Sequence, residues 1–185
     1  MLAFVNDQVV EERDQTREAL EALSKQLELA NRAASRFRIS LPNRDEALAE
    51  LSREMDPSES GAKRYAGIFV VDALSALRLR HGNEVSEHLL HEISHKNIFP
   101  LMPGGKVFRW STQSILAVWH SEKELGELSA DIASSCQMPF DCRAFVGTRT
   151  AIFHITMRFV VLDALLNTAE LIRALDNFSE GADTK

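Results

Sequence analysis

Apolar residues recur along this chain at changing periods, and each period predicts an element. From about residue 6 to residue 37 there is no Pro or Gly, and Glu, Gln, Arg, Ala and Leu dominate, all good helix formers. Within that stretch Leu20, Leu23, Leu27, Ala30, Ala34 and Phe37 are spaced 3, 4, 3, 4, 3. This is the a/d seam of a coiled coil lasting about two and a half heptads. Upstream the same register meets Val9, Arg13 and Thr16, and the seam weakens. A helix packed on its own domain shows a wider apolar stripe. A parallel coiled-coil dimer is therefore the favoured reading, with a helix docked in cis as the alternative.

Pro42 stops this helix, and Asn43 caps a new one whose apolar positions are Ala47, Leu48 and Leu51. "MDPSESG" (55–61) reads as a turn-rich loop. Ile68, Phe69, Val70 and Val71 form an unbroken apolar run, the mark of a central strand covered on both faces. The chain then turns through Gly82 into a helix, "SEHLLHEISHKN", with Val85, Leu89, Leu90 and Ile93 facing inward. "GGKVFRWSTQSILAVWHS" (104–121) has the shape of a β-hairpin. Val107, Phe108 and Trp110 lead to a polar tip, Ser111-Thr112-Gln113-Ser114, and Ile115 to Trp119 return. "EKELGELSADIASSC" reads as helix, "DCRAFVGTRTAIF" as strand and "VVLDALLNTAELIRALDNF" as a final helix. The order predicts an α/β sandwich of the ferredoxin-like type around a central mixed or antiparallel sheet, with the hairpin at its centre. The expected organisation is a helix over 1–37, one α/β domain over 38–178 and a polar tail over 179–185.

At 185 residues and 45% hydrophobic, the chain can bury one good core plus an appendage. A net charge of −6 argues against a nucleic-acid partner, since nothing neutralises phosphates in bulk. No run approaches the roughly 20 apolar residues that span a bilayer. The opening "MLAFVNDQVV" has no basic flank and reads as neither signal peptide nor anchor, so a cytoplasmic chain is expected. Cys136 and Cys142 are too few for a disulfide framework or an all-cysteine zinc site. Six residues apart across Pro139, they could pair as a redox switch, but free thiols in a reducing compartment are the plainer reading.

Two further groups of side chains invite chemistry. His88, His91 and His95 lie at i, i+3 and i+7 on one helix face opposite Leu89, Leu90 and Ile93. Three imidazoles so placed could bind Zn²⁺ or Ni²⁺ or titrate together near neutral pH, against the plain reading of a solvated polar face. Arg78, Arg80 and His81, with Arg36, Arg38 and Arg44, could form a patch for a nucleotide phosphate. Arginines on an acidic surface more often pair with carboxylates or stay solvated.

Three ordered strings resemble the GGDEF family, the diguanylate cyclases that condense two GTP molecules into cyclic di-GMP. "ISLPNRDEALAEL" (39–51) is similar to the family's entry segment, in which "LPNR" follows Asp-x-Leu-Thr-Gly. "GIFVVDALSALRLRHGNEVSEHLL" (67–90) resembles its strand, helix and turn, and Arg109-Trp110 precede the tip as Arg-Tyr precede Gly-Gly-Asp/Glu-Glu-Phe. The strings cover about residues 38–120, and the final helix lacks the family's Lys-x-x-Gly-Arg-Asn ending.

The resemblance implies where catalysis would sit. It places Val70 at the first metal-binding Asp, Ser111 and Thr112 at the two glycines, Gln113 at the metal-binding acid, Ser114 at the Glu and Ile115 at the Phe. In the family two carboxylates hold the Mg²⁺ ions that bridge the triphosphate and activate the attacking hydroxyl. A valine and a neutral amide cannot substitute, and side chains in place of the glycines fill space that phosphates need. Arg78 stands at the guanine-reading Asn and Glu87 at the guanine-reading Asp. Ser75 replaces a Lys, and Asp72 matches the family's second Asp. The inhibitory product-binding Arg-x-x-Asp would fall at Met102 to Gly105, with neither end matching. The expectation is a non-catalytic module with no cofactor, dimerising through its helix and relaying a signal to a protein partner in cyclic di-GMP-type pathways. The alternative is a GTP sensor that binds through Arg78 and Glu87 without turnover.

Overall fold

In the computed structural model of the chain, which describes Arg17, Leu20 and residues 41–53, 62–164 and 167–181, the run expected as a central strand is β1, Lys63–Val70. All of it past Lys63 is buried. Successive side chains of a strand point to opposite faces, and here both faces are covered. Tyr65 and Phe69 join Leu74, Leu89 and Ile93 in one core, while Ala66, Ile68 and Val70 join Trp110, Leu171 and Leu175 in the other. That is why the strand reads as continuously apolar rather than alternating.

The chain divides into two compact units after Ser40. In the first, Leu20 is helical and exposed, and the remaining seam positions Leu23, Leu27, Ala30, Ala34 and Phe37 lie outside the described residues. So do the loop at 55–61 and the last four residues of the tail. The second unit opens with α1, Arg44–Leu51, which starts at the expected cap. Asn43 Oδ1 accepts from the Glu46 amide at 3.0 Å, and the Glu46 carboxylate accepts from the Asn43 amide at 2.7 Å. The buried Arg64 of β1 donates to the Glu50 carbonyl in the last turn of α1 and to the Arg53 carbonyl just past its end.

After β1 come α2, Ala73–His81, and α3, Asn83–Ile93. They are separated by Gly82, whose φ of +88° only glycine adopts at low cost. The helix expected to run through Asn97 widens instead into one π-helical turn, Ser94–Ile98. β2, Lys106–Arg109, and β3, Ser114–Ser121, form the predicted hairpin, followed by α4, Leu125–Cys136.

Two expectations fail after that point. "DCRAFVGTRTAIF" is a second hairpin, not one strand: β4, Phe140–Val146, turns at Gly147 into β5, Arg149–Ile155. The final helix does not begin at Val160. Residues Arg158–Asp163 are β6, paired antiparallel with β1, and α5 is Thr168–Glu180. Phe159, Val160, Val161 and Leu162 are β-formers that gain a partner strand and cover for their apolar faces, which a helical turn there would not supply. Asn167 caps α5, its side chain accepting from the Ala169 amide at 2.9 Å. Ser179 and Glu180, expected in the tail, are the last residues of α5, closed by Gly181 in the left-handed region.

The main sheet has the order β2-β3-β1-β6 with every pair antiparallel. This is the ferredoxin-like path, with β4–β5 inserted as a separate two-stranded sheet. Gly67 in β1 leaves room for the Trp119 ring, which a Cβ there would meet at 3.0 Å.

Cys136 and Cys142 are both free and buried. Burial, with a further push from the Glu92 carboxylate, raises the Cys142 thiol to about 11. A thiol with a raised folded pKa keeps its proton in the fold after the unfolded chain has lost it. Its stabilising contribution is complete below the ordinary thiol pKa of 9.0 and is lost as pH climbs from there toward 11. The slope is at most about 1.4 kcal/mol per pH unit. Urea unfolding of Cys142→Ala between pH 8 and about 10.5 should show a flatter alkaline decline than the parent chain.

Candidate functional site

Val70 ends β1, and the ladders set Ser114 on one side of it and Arg158 on the other. Directly opposed residues share a face, so a methyl-bearing side chain, a hydroxyl and a guanidinium line up across the sheet. Val70, Ser114 and Ile115 have no exposed surface. The tip Ser111-Thr112-Gln113 folds over the ends of these strands. Its backbone is fastened at both sides: Trp110 and Ser111 amides donate to the Ser114 carbonyl at 3.0 and 3.2 Å, and the Val71 amide donates to the Gln113 carbonyl at 2.9 Å.

The side chains of the tip bond to the protein itself. A hydroxyl chain runs from Ser111 Oγ to Ser114 Oγ (2.6 Å) and on to Ser179 Oγ of α5 (2.9 Å). The Gln113 amide donates to Ser111 Oγ at 3.2 Å, and its side-chain oxygen accepts from the Ser75 hydroxyl of α2. Divalent magnesium needs anionic oxygens in near-octahedral array. The positions that the resemblance assigns to its ligands hold a side chain without a donor atom and a neutral amide oxygen already bonded to Ser75. This donor set does not fit the ion.

Three arginines bridge the elements around the tip. Arg109 holds Glu87 of α3 in a two-pronged pair, Nη1 to Oε2 and Nη2 to Oε1, each 2.6 Å. Arg44 of α1 donates through Nη2 to both oxygens of Asp176 on α5 at 2.9 and 2.8 Å. Its guanidinium lies 4.4 Å from the centre of the Trp110 ring, whose Nε1–H donates to the same Asp176 at 3.0 Å. Arg158 donates through Nε to Asp72 at 3.1 and 3.3 Å and through its Nη atoms to the carbonyls of Phe178 and Ser179. It also stacks 4.9 Å from the centre of the Phe178 ring.

Between the tip, α1, α2 and α5 lies an open pocket of about 340 Å³. Its charged lining is Arg44, Asp176 and Glu180, one cation against two carboxylates.

Of the residues singled out from sequence, the structure gathers Ser75 with Ser111, Gln113 and Ser114. Glu87 and Asp72 are near the tip but committed to Arg109 and Arg158. Arg78 is exposed on α2. Met102 is fully buried, and a Cβ at Gly105 would meet its carbonyl oxygen at 3.0 Å, so this stretch is a packed turn.

The three histidines are not brought together as a ligand set. Among the described residues no group of three His, Cys, Asp or Glu could hold a metal ion. His88 Nε2–H donates to the Arg143 carbonyl at 2.9 Å, whereas His91 and His95 lie ring to ring at 4.5 Å. Arg158, Asp176 and Ser179 are the site residues that sequence reasoning missed. Arg158 begins a strand whose last four residues were read as helix, and the other two act 132 and 65 residues away from their partners.

Compared by sequence, the chain matches no protein-family model and no curated protein. Compared by structure, it is similar to solved domains across most of its length. A diguanylate cyclase/phosphodiesterase from Caldicellulosiruptor saccharolyticus covers 77% of this chain and 82% of its own at 18% identity, with a TM-score of 0.56. The diguanylate cyclase SiaD from Pseudomonas aeruginosa, solved with its activator SiaC, covers 97% of this chain and 75% of its own at 17% identity and 0.56. The FimX GGDEF domain from the same organism covers 77% and 88% at 13% identity and 0.57. Among the described residues no helix is long and apolar enough to cross a membrane. The ferredoxin-like sheet, its helices and the hairpin tip at its end together make this the fold of the GGDEF diguanylate cyclase domains.

Proposed function

We propose that the chain is a non-catalytic GGDEF-type module. It dimerises through its N-terminal helix and relays a change in that helix to a protein partner in a cyclic di-GMP pathway, in the cytoplasm. One observation carries the reading: the tip that would handle substrate is bonded to its own fold through the Ser111–Ser114–Ser179 hydroxyl chain. Phosphoryl transfer depends on metal charge neutralising the phosphates, and valine and glutamine do not supply a metal site. The structure of the diguanylate cyclase SiaD in complex with its activator SiaC supports a protein partner for a domain of this fold.

Two measurements test the proposal together. Incubated with GTP and Mg²⁺ or Mn²⁺, the chain should yield no cyclic di-GMP, and product on chromatography overturns the non-catalytic reading. In light scattering on dilute solutions the parent chain should be dimeric and Leu23→Asp with Leu27→Asp monomeric; an unchanged mass at that dilution removes the seam.

The second reading is a nucleotide held without turnover in the pocket beside the tip. Its two carboxylates oppose a triphosphate, and Glu87, the base-reading candidate, is already paired with Arg109. Calorimetry with GTP, with and without Mg²⁺, should therefore show no binding tighter than about 1 mM. Micromolar affinity would select the sensor instead.

A further inference from the structure

A strand edge with unpaired main-chain groups is a template for another strand, and proteins usually cover such edges. The two sheets here present an outer edge on each of β2, β6, β4 and β5. Along β2 the Arg109 amide donates to the Pro42 carbonyl at 2.7 Å, where the chain passes into α1. Along β6 every residue is buried or half-buried, with α4 packed against the strand.

On β4 the edge is stopped by side chains of α3. The Arg143 amide donates to Glu92 Oε2 at 3.0 Å, and the Arg143 carbonyl accepts from His88 Nε2 at 2.9 Å. Glu92 is itself buried and bonded to Lys96.

That capping fixes the direction of every main-chain group in the hairpin. In an antiparallel ladder a residue's N–H and C=O point to the same side, and the side alternates along the strand. Arg143 points away from β5, so Ile152, its register partner, points away from β4. By the same alternation Thr150 and His154 do too. Among the described residues nothing meets these outward groups.

The side chains there are equally uncovered. Ile152 is 54% exposed, and Phe145, its diagonal neighbour on the same face, is 57% exposed. β5 reads Arg-Thr-Ala-Ile-Phe-His-Ile, with no proline or lysine and one charge, at its first residue. It lacks the devices that keep natural edges apart.

We infer that the outer edge of β5 is a self-association surface, on which β5 of a second copy of this chain adds antiparallel about Ile152. The strand is self-complementary in that register. Ile152 faces Ile152 of the second copy, Thr150 faces His154, and each pair exchanges both of its outward hydrogen bonds. Arg149 falls opposite Ile155 of the second copy, so like charges do not meet. Opposed residues share a face, and the result is a four-stranded sheet in which the two Ile152 side chains meet at the centre, flanked by Arg143 directly opposite on each outer strand and by Phe145 on the diagonal. A strand from a foreign protein would share the hydrogen bonds but has nothing on this edge to select its sequence. The surface is separate from the N-terminal seam and does not rest on the proposed function.

Amide hydrogen exchange of the full chain, read residue by residue over about a hundredfold range of protein concentration, tests it. The amides of Thr150, Ile152 and His154 should slow by about tenfold or more at the concentrated end. Ala151 and Phe153, bonded within the hairpin, should change less. Ile152→Lys and Thr150→Pro, both at exposed sites, should abolish the concentration dependence and lower the mass seen by sedimentation at high concentration. The same shift should persist in Leu23→Asp with Leu27→Asp, which separates this surface from the seam. Fast exchange at every concentration overturns the inference, leaving the edge to a foreign strand. Slow exchange even at the lowest concentration overturns it equally, since a segment of the same chain then covers the edge.

Discussion

Replacement of Trp110 by alanine is expected to lower the unfolding free energy by about 3–5 kcal/mol, measured by urea unfolding with circular dichroism. Trp110 is almost fully buried between the main sheet and α5, packed in the core that holds Phe108, Leu171 and Leu175. Its removal leaves a cavity and also strips Arg44 of its aromatic platform and Asp176 of a donor. Trp110→Phe keeps most of the packing and loses the N–H, so its cost should be about 1–2 kcal/mol. A double-mutant cycle of Trp110→Phe with Asp176→Ala would isolate the hydrogen bond from the packing.

The other large effect is expected on placing carboxylates where the resemblance assigns the metal ligands, Val70→Asp with Gln113→Glu. Val70 is fully buried in the central strand, and a carboxyl group there is desolvated on all sides. The loss should be about 3 kcal/mol or more, nearly all of it from position 70. The variant should still make no cyclic di-GMP, and millimolar Mg²⁺ should not raise its melting temperature. Arg158 lies directly across the ladder from residue 70, so a new aspartate meets a resident cation before any metal. Ser111 and Thr112 still stand where the resemblance assigns the two glycines. A rise of several degrees with Mg²⁺, matched by no rise with Na⁺ at equal ionic strength, would contradict this account.

The first two-thirds of the domain was legible because its signals are local. Pro42 with Asn43 marks the start of α1, an apolar run bounded by polar residues marks β1, and Gly82 marks the turn into α3, although the helix before it, α2, was read only as the approach to that turn. The last third was not, for reasons of packing. "FVVLD" is apolar at successive positions, a pattern that a buried strand and a buried helix share, and only pairing with β1 decides between them. The Asn167 cap was a readable signal, and given weight it would have started α5 in the right place. In "AFVGTRT" a single glycine between β-formers was a turn rather than an interruption.

The site divides in the same way. That the tip carries no carboxylate is plain from Ser111 to Ser114 alone. How the tip is held was invisible, because Arg158–Asp72, Arg44–Asp176 and Ser114–Ser179 join residues 86, 132 and 65 positions apart. The histidine face shows the converse. Its three side chains were expected together on one face, yet one imidazole is spent on an Arg143 carbonyl and helps to stop a strand edge, and His95 falls in the π-helical turn.

The guanidinium pairs around the tip have a consequence for how the domain responds to its surroundings. They sit at the surface, partly open to solvent, and dissolved salt weakens such attractions within a Debye length of about 8 Å. The sandwiched interior answers instead to temperature and denaturant, through water's aversion to Phe69, Leu116 and their neighbours. Brine should therefore loosen the tip end of this domain while leaving its core rigid.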